Sequence, residues 1–203
     1  PASRPGNLPF NAPCLAVGYN GAGPAALHFA EAEAFSIARL TGGRVLTGPA
    51  LDKAALFSLA PAARYLHISC HGEFDPQTPL ASRLHLSASE SLTAQEALDG
   101  LRLRCDLVTL SACESGLSRV RRGDELMGLV RAFLLAGAAA VVASLWRVDE
   151  RSTLLLMESF YRGLAAGVNP AAALKAAQIA LRATPTYADP FYWAPFILVG
   201  NPR

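Results

Sequence analysis

YLHISCHGEF, residues 65–74, is the stretch on which the fold turns. Alternation along an extended chain puts Tyr65, His67, Ser69 and His71 on one face and Leu66, Ile68 and Cys70 on the other. Both faces carry residues that suit a covered surface, the mark of a central strand in a parallel sheet rather than of a strand with one wet side. The strand then runs out at His71-Gly72, so a titratable side chain and a residue with no side chain stand together at its exit.

The segments on either side follow a regular alternation. CLAVGYN (14–20) is a short apolar strand. The stretch after it sets Leu27, Ala30, Ala34, Ile37 and Ala38 at helical spacing, with Pro24 to open the helix and Gly42-Gly43 to close it. RVLTG (44–48) is a strand, and LDKAALFSLA (51–60) a helix stopped by Pro61. RLHLS (83–87) predicts a minor edge strand, and Thr93 with Glu96 a capping box. CDLVTLSAC (105–113) is the next central strand. Asp124 then caps a helix carrying Leu126, Met127, Leu129, Val130, Phe133 and Leu134, and AAAVVASLW (138–146) is a buried strand. Asp149 and Asn169-Pro170 start two more helices, and PFILVG (195–200) closes the chain as a strand. Strands joined by helices in this order predict an α/β fold, a mostly parallel sheet with helices on both faces.

The chain has 203 residues, 52% hydrophobic and 17% charged, which suits a single well-filled domain. The uncharged run nearest to a membrane span, 132–146, ends short of the ~20 residues a span needs, and Gly137 and Ser144 interrupt it. The net charge of +2 is dispersed apart from SRVRRG (118–123), which argues against nucleic acid as a partner. The four cysteines, Cys14, Cys70, Cys105 and Cys113, form no CxxC pair and sit in apolar runs, as reduced thiols of a cytoplasmic protein do. Residues 1–13 read as a loop-like leader, and the whole as one domain, 1–203, cut from a longer protein.

In an open parallel sheet, ligands bind beyond the carboxyl ends of the strands. Two strands end there in reactive residues, one at His71 and the other at Cys113. If the strands are neighbours, roughly 4.8 Å apart, the two residues flank one site. An imidazole next to a thiol can take its proton and later return one to a leaving amine, which is the requirement of acyl transfer. The amides of Gly72 and Cys113 are candidates to hold the developing oxyanion. Periodicity alone equally allows two buried polar residues that merely end strands.

HISCHGEFD (67–75), LVTLSACESG (107–116), GDELMGLVRAFLLAGAAAVVASLWRVDE (123–150) and YWAPFILVGNP (192–202), in this order, resemble the CHAT domain, a caspase-like family often attached to tetratricopeptide repeats in bacterial proteins. The resemblance runs from about Cys14 to the end. It implies the three-layer sandwich of caspases, separases and gingipains, a strand order 2-1-3-4-5-6, and a thiol protease with a Cys/His dyad. His71 matches the histidine of the HG motif and Cys113 the cysteine of the SAC motif. Glu114-Ser115 stands where many relatives have Glu-Thr.

The expected function is therefore a cysteine endopeptidase that cuts a protein substrate through an acyl-enzyme. Cys113 is the nucleophile, His71 the general acid/base, and Gly72 an oxyanion donor. A non-catalytic regulatory or adaptor domain of the same fold is the alternative. An esterase reading is weaker, because no GxSxG elbow occurs. Asp124, Asp149 and Trp146 are candidate substrate-binding residues, the aspartates to favour a basic residue before the cut and Trp146 to wall the pocket; each aspartate also reads as a helix cap, and Trp146 as core. Arg119, Arg121 and Arg122 are either self-cleavage points or a solvated loop. A zinc site at His67 and His71 is disfavoured, because strand residues four apart stand roughly 13 Å from each other. No metal or cofactor is expected. The expected partners are a protein substrate and a tetratricopeptide-repeat or other regulatory region outside this chain, with no nucleic acid and no membrane.

Overall fold

The computed structural model describes residues 13–23, 26–75, 77–114 and 127–202. Asp124 and the arginines of 118–123 lie outside the described residues. Among the described residues eight strands form one sheet: β1 (Cys14–Gly18), β2 (Arg44–Thr47), β3 (Tyr65–Glu73), β4 (Arg83–His85), β5 (Ser91–Thr93), β6 (Leu107–Glu114), β7 (Ala140–Ser144) and β8 (Phe196–Gly200). The helices are α1 (Ala30–Thr41), α2 (Lys53–Leu59), α3 (Ala94–Gly100), α4 (Met127–Leu135), α5 (Glu150–Ala165), α6 (Pro170–Arg182) and α7 (Pro190–Trp193).

The strand order is β2-β1-β3-β6-β7-β8, with β4 and β5 attached to β3 as an antiparallel hairpin. Leaving that hairpin aside, the order is the 2-1-3-4-5-6 that the resemblance implies. All pairs in the main path are parallel except β7 with β8. The reversal has a local cause. A short α7 precedes β8 and delivers the chain to the carboxyl edge of the sheet, where Phe196 pairs with Ser144.

The two faces of the sheet bury separate cores. Leu66, Ile68 and Cys70 of β3, with Val108, Leu110 and Ala112 of β6, pack with Leu56 of α2, Ala97 of α3 and Phe133 of α4. On the other face Ala16, Leu107 and Val142 pack with Ile37 of α1, Phe160 and Tyr161 of α5 and Leu174 of α6. Removing roughly 25 cal/mol of unfavourable hydration per Å² of apolar surface on both sides holds the three layers together.

Local signals in the sequence act where they were expected, with two differences. Thr93 and Glu96 form the capping box of α3, Asp149 Oδ1 accepts from the Ser152 amide at 2.8 Å to cap α5, and Asn169 caps α6. Gly42, in the left-handed region at φ 64°, ends α1. Helix α1, however, begins at Ala30 and not near Pro24, because its first amides are taken by side chains from elsewhere: the Glu31 amide donates to Asn20 Oδ1, and those of His28 and Phe29 to Glu150 Oε2. The second difference is β5, which pairs β4 and has no apolar run of its own to announce it.

Candidate functional site

Strands β3 and β6 are adjacent and parallel over their whole length. His67 faces Thr109, Ser69 faces Ser111, and at the carboxyl end His71 is in register with the backbone of Cys113 and Gly72 with that of Glu114. The strand spacing of about 4.8 Å thus brings the predicted base and the predicted nucleophile position side by side. A register that pairs Tyr65–Gly72 one to one with Leu107–Glu114 achieves this; it needs no bulge.

His71 is half-buried, with its Nδ1 shielded from solvent. The far edge of the imidazole is backed by the loop between β1 and α1. A Cβ built on Gly21, which sits at φ 80°, would come within 3.1 Å of His71 Cδ2 and 3.4 Å of Nε2. Glycine is required here twice over, for the left-handed backbone and for the close approach to the ring. Gly72 serves a different need. Its missing side chain leaves room for the Phe74 ring, which a Cβ would meet at 3.2 Å, and for Ala112 at 3.6 Å.

Below His71 the same face of β3 and β6 carries His67, Ser69, Thr109 and Ser111, and it meets α1 and α5. Ser69 and Ser111 line a small pocket together with Glu33 of α1, and Glu150 and Thr153 of α5; the rest of its wall is apolar and includes Leu27 and Val148. Its volume of about 20 Å³ has space for about one water molecule. One level deeper, His67 is fully buried with its Nε2 2.9 Å from Glu33 Oε1. The two atoms are in contact distance without the alignment of a hydrogen bond, so the contact is electrostatic rather than directional. The Tyr161 ring meets the His67 ring edge-on at 5.3 Å, and its hydroxyl donates to Thr109 Oγ1 at 3.0 Å. Burial raises the Tyr161 hydroxyl well above its usual range, so it stays a neutral donor.

The remaining candidates fall around this column. Asp149 stands at the start of α5 beyond the carboxyl end of β7, engaged as a helix cap. Trp146, at the exit of β7, donates its Nε1 to the Phe191 carbonyl of α7 at 3.2 Å, which ties that exit to the chain entering β8. Among the described residues no group of three or more His, Cys, Asp or Glu could hold a metal ion, and no helix is long and apolar enough to cross a membrane. Cys14, Cys70 and Cys105 are all buried. Desolvation pushes the Cys14 thiol up to about 11 and the Cys105 thiol up to about 12, so neither is a nucleophile near neutral pH.

Sequence reasoning missed three residues of this site, Gly21, Glu33 and Glu150. For Glu33 a signal existed: Ala30, Ala34, Ile37 and Ala38 define the buried stripe of α1, and Glu33 falls inside it. A carboxylate on the apolar side of a helix implies a buried partner. Nothing local marks Glu150 beyond its place in the first turn of α5.

Comparison with known proteins agrees with this architecture. The structure aligns with gingipain R, an Arg specific cysteine proteinase, at a TM-score of 0.68 and 12% identity, covering 96% of this chain and 47% of that one. The complex of Porphyromonas gingivalis RgpB pro- and mature domains gives 0.67 at 13% identity, over 96% and 48%. Saccharomyces cerevisiae separase, in its complex with securin, gives 0.58 at 11% identity, over 94% and 12%. At such identities the likeness is one of fold. In sequence, the chain is 29% identical to Tetratricopeptide repeat protein 28 of Mus musculus and 28% identical to that of Homo sapiens, in each case over 85% of this chain. It spans only 8% of the length of those relatives. The CHAT domain profile matches residues 3–201, nearly the whole chain. With the sheet order, the register of β3 on β6 and these matches in agreement, the chain belongs to the CHAT domain family, with the caspase-like fold.

Proposed function

We propose that this domain is a cysteine endopeptidase with Cys113 as nucleophile and His71 as general acid/base. The observation that carries the reading is the pairing of His71 with Cys113 at the carboxyl ends of adjacent parallel strands. In the reaction His71 accepts the Cys113 proton, and the thiolate sulfur adds to the substrate carbonyl carbon. The negative charge that develops on the carbonyl oxygen is held by the amides of Gly72 and Cys113. The C–N bond then breaks as the imidazolium returns its proton to the amine. Water, deprotonated by His71, hydrolyses the thioester and restores the free thiol.

A protein substrate bearing a basic residue before the cut fits the charges near the dyad. Glu33 and Glu150 line the pocket below it, and Asp149 and Trp146 follow the exit of β7. Gingipain R, a neighbour in fold, is Arg specific by its own name. In the described conformation the pocket has space for about one water, so a cationic side chain enters only if the pocket widens. A second reading, a binding module without turnover, is favoured by the sequence relatives, which are named for tetratricopeptide repeats and of which this domain is a small part.

A peptide chloromethyl ketone with Arg before the reactive carbon separates the two. The endopeptidase reading expects covalent labelling of the wild type, lost in Cys113→Ala and Cys113→Ser and strongly slowed in His71→Ala. Labelling that persists in Cys113→Ala, or no labelling and no peptide turnover with Arg, Lys, Leu or Asp before the bond, refutes it.

A further inference from the structure

Helix α1 lacks a cap of its own. Its N-cap residue is Phe29, whose side chain offers no acceptor, so the amides at this end need partners from outside the helix. Asn20 Oδ1 accepts from the Glu31 amide at 3.0 Å, and Glu150 supplies the other two from a distant part of the chain: its Oε2 accepts from the His28 amide at 2.6 Å and from the Phe29 amide at 3.0 Å. Glu150 is the first residue of α5, which follows β7, whereas α1 follows β1. In the sheet β1 and β7 stand on opposite sides of the pair β3 and β6. The contact therefore crosses the face on which His71 lies.

The loop held in this way is the one that touches the base. Its first half is fixed to the sheet by the Tyr19 amide donating to the Ser69 carbonyl at 3.0 Å. The Leu27 amide donates to the Asn20 carbonyl at 2.6 Å, which closes the loop on itself. Between these anchors Gly21 lies flush against the Cδ2–Nε2 edge of His71. We propose that Glu150 is a positioning residue for His71: by capping α1 it holds the loop so that Gly21 backs the imidazole, and it couples the base to the segment that leaves β7. This rests on the reading of His71 as the general base.

The test uses the protein with histidine selectively labelled with ¹⁵N; the four histidines give few signals, and His71→Gln assigns the one of interest. The ring signals of His71 are compared in wild type, Glu150→Ala, Glu150→Gln and Glu158→Ala, together with the rate of Cys113 alkylation by iodoacetamide as a function of pH. Glu158→Ala is the control, because it removes another tie between α5 and α1, the 2.5 Å bond from Ser36 Oγ to Glu158 Oε1, away from the loop. Glu150→Ala is expected to shift or broaden the His71 signals, to slow alkylation about fivefold or more near neutral pH and to displace its pH profile. Glu150→Gln keeps a carbonyl acceptor and is expected to stay within about twofold of wild type. Glu158→Ala is expected to lower the melting temperature and leave the His71 signals in place.

Unchanged His71 signals in Glu150→Ala, or an equal change in Glu158→Ala, overturn the proposal. Should Glu150→Ala not fold, Gly21→Ala tests the same contact from the loop, and His71 signals that ignore the added methyl overturn it equally. If Cys113 of the wild type alkylates no faster than an ordinary thiol, the endopeptidase reading fails, while the ring signals still decide the role of Glu150.

Discussion

Replacing His67 by Leu tests how the floor of the site is held. His67 and Glu33 are both buried, and each is the other's nearest charged or titratable contact at 2.9 Å. In His67→Leu the Glu33 carboxyl keeps its burial and loses that contact, while it still lines the pocket with Ser69 and Ser111. A buried polar group left without its partner costs about 1–3 kcal/mol, and more if it is charged. The lost edge-on contact with Tyr161 adds about 0.5–1.5 kcal/mol. The single substitution is thus expected to cost about 3 kcal/mol, and Glu33→Leu, which strands the imidazole instead, a similar amount. Both together remove the polar pair and fill its space with hydrocarbon, so Glu33→Leu/His67→Leu is expected to be more stable than either single variant. Urea unfolding followed by the fluorescence of Trp146 and Trp193 measures all four corners of the cycle. Single costs below about 1 kcal/mol, or a double variant equal to the sum of the singles, would refute the claim that the pair acts as a unit.

Other consequences follow from single contacts. A Cβ on Gly128 of α4 would lie 2.1 Å from the backbone oxygen of Pro79, so Gly128→Ala is expected to cost about 1–3 kcal/mol in a thermal melt. Gly163→Ala in α5, whose methyl would meet only that of Ala173 at 3.0 Å, is expected near neutral, because the gain in helix propensity of about 1 kcal/mol offsets the crowding. Thr93→Ala breaks the capping box of α3 and should cost about 1 kcal/mol by chemical denaturation. The fold holds Cys14 and Cys105 as neutral thiols up to about 11 and about 12, against 9.0 for an ordinary cysteine. Above pH 9 the folded state therefore keeps protons that the unfolded state has released, and stability that is complete below this pH falls as pH rises. The loss is about 1 kcal/mol for each thiol at pH 10. Melts at pH 8 and pH 10 check it: Cys14→Ala/Cys105→Ala should lose less between the two pH values than the wild type.

The sequence by itself determined the features set by neighbours along the chain. Alternation in 65–74 and 105–113 showed which residues share a face, because successive side chains of a strand must point to opposite sides. Caps such as Thr93-Glu96, Asp149 and Asn169 were legible for the same reason: donor and acceptor lie within three residues of each other. The family resemblance added the sheet order that makes neighbours of the strands ending in His71 and Cys113, and the structure has them in one register. Tertiary structure alone decided what surrounds them. Glu150 and the amide of His28 are 122 positions apart, and no local pattern in either segment announces that one completes the other. The direction of β8 depends on where α7 delivers the chain, and β5 exists as a strand because β4 offers it a partner. Alternation puts His67 on the face of His71, but only the packing of α1 on the sheet shows that it meets Glu33. Periodicity tells which side of an element turns inward; which element arrives to meet it is settled by the packing of the whole chain.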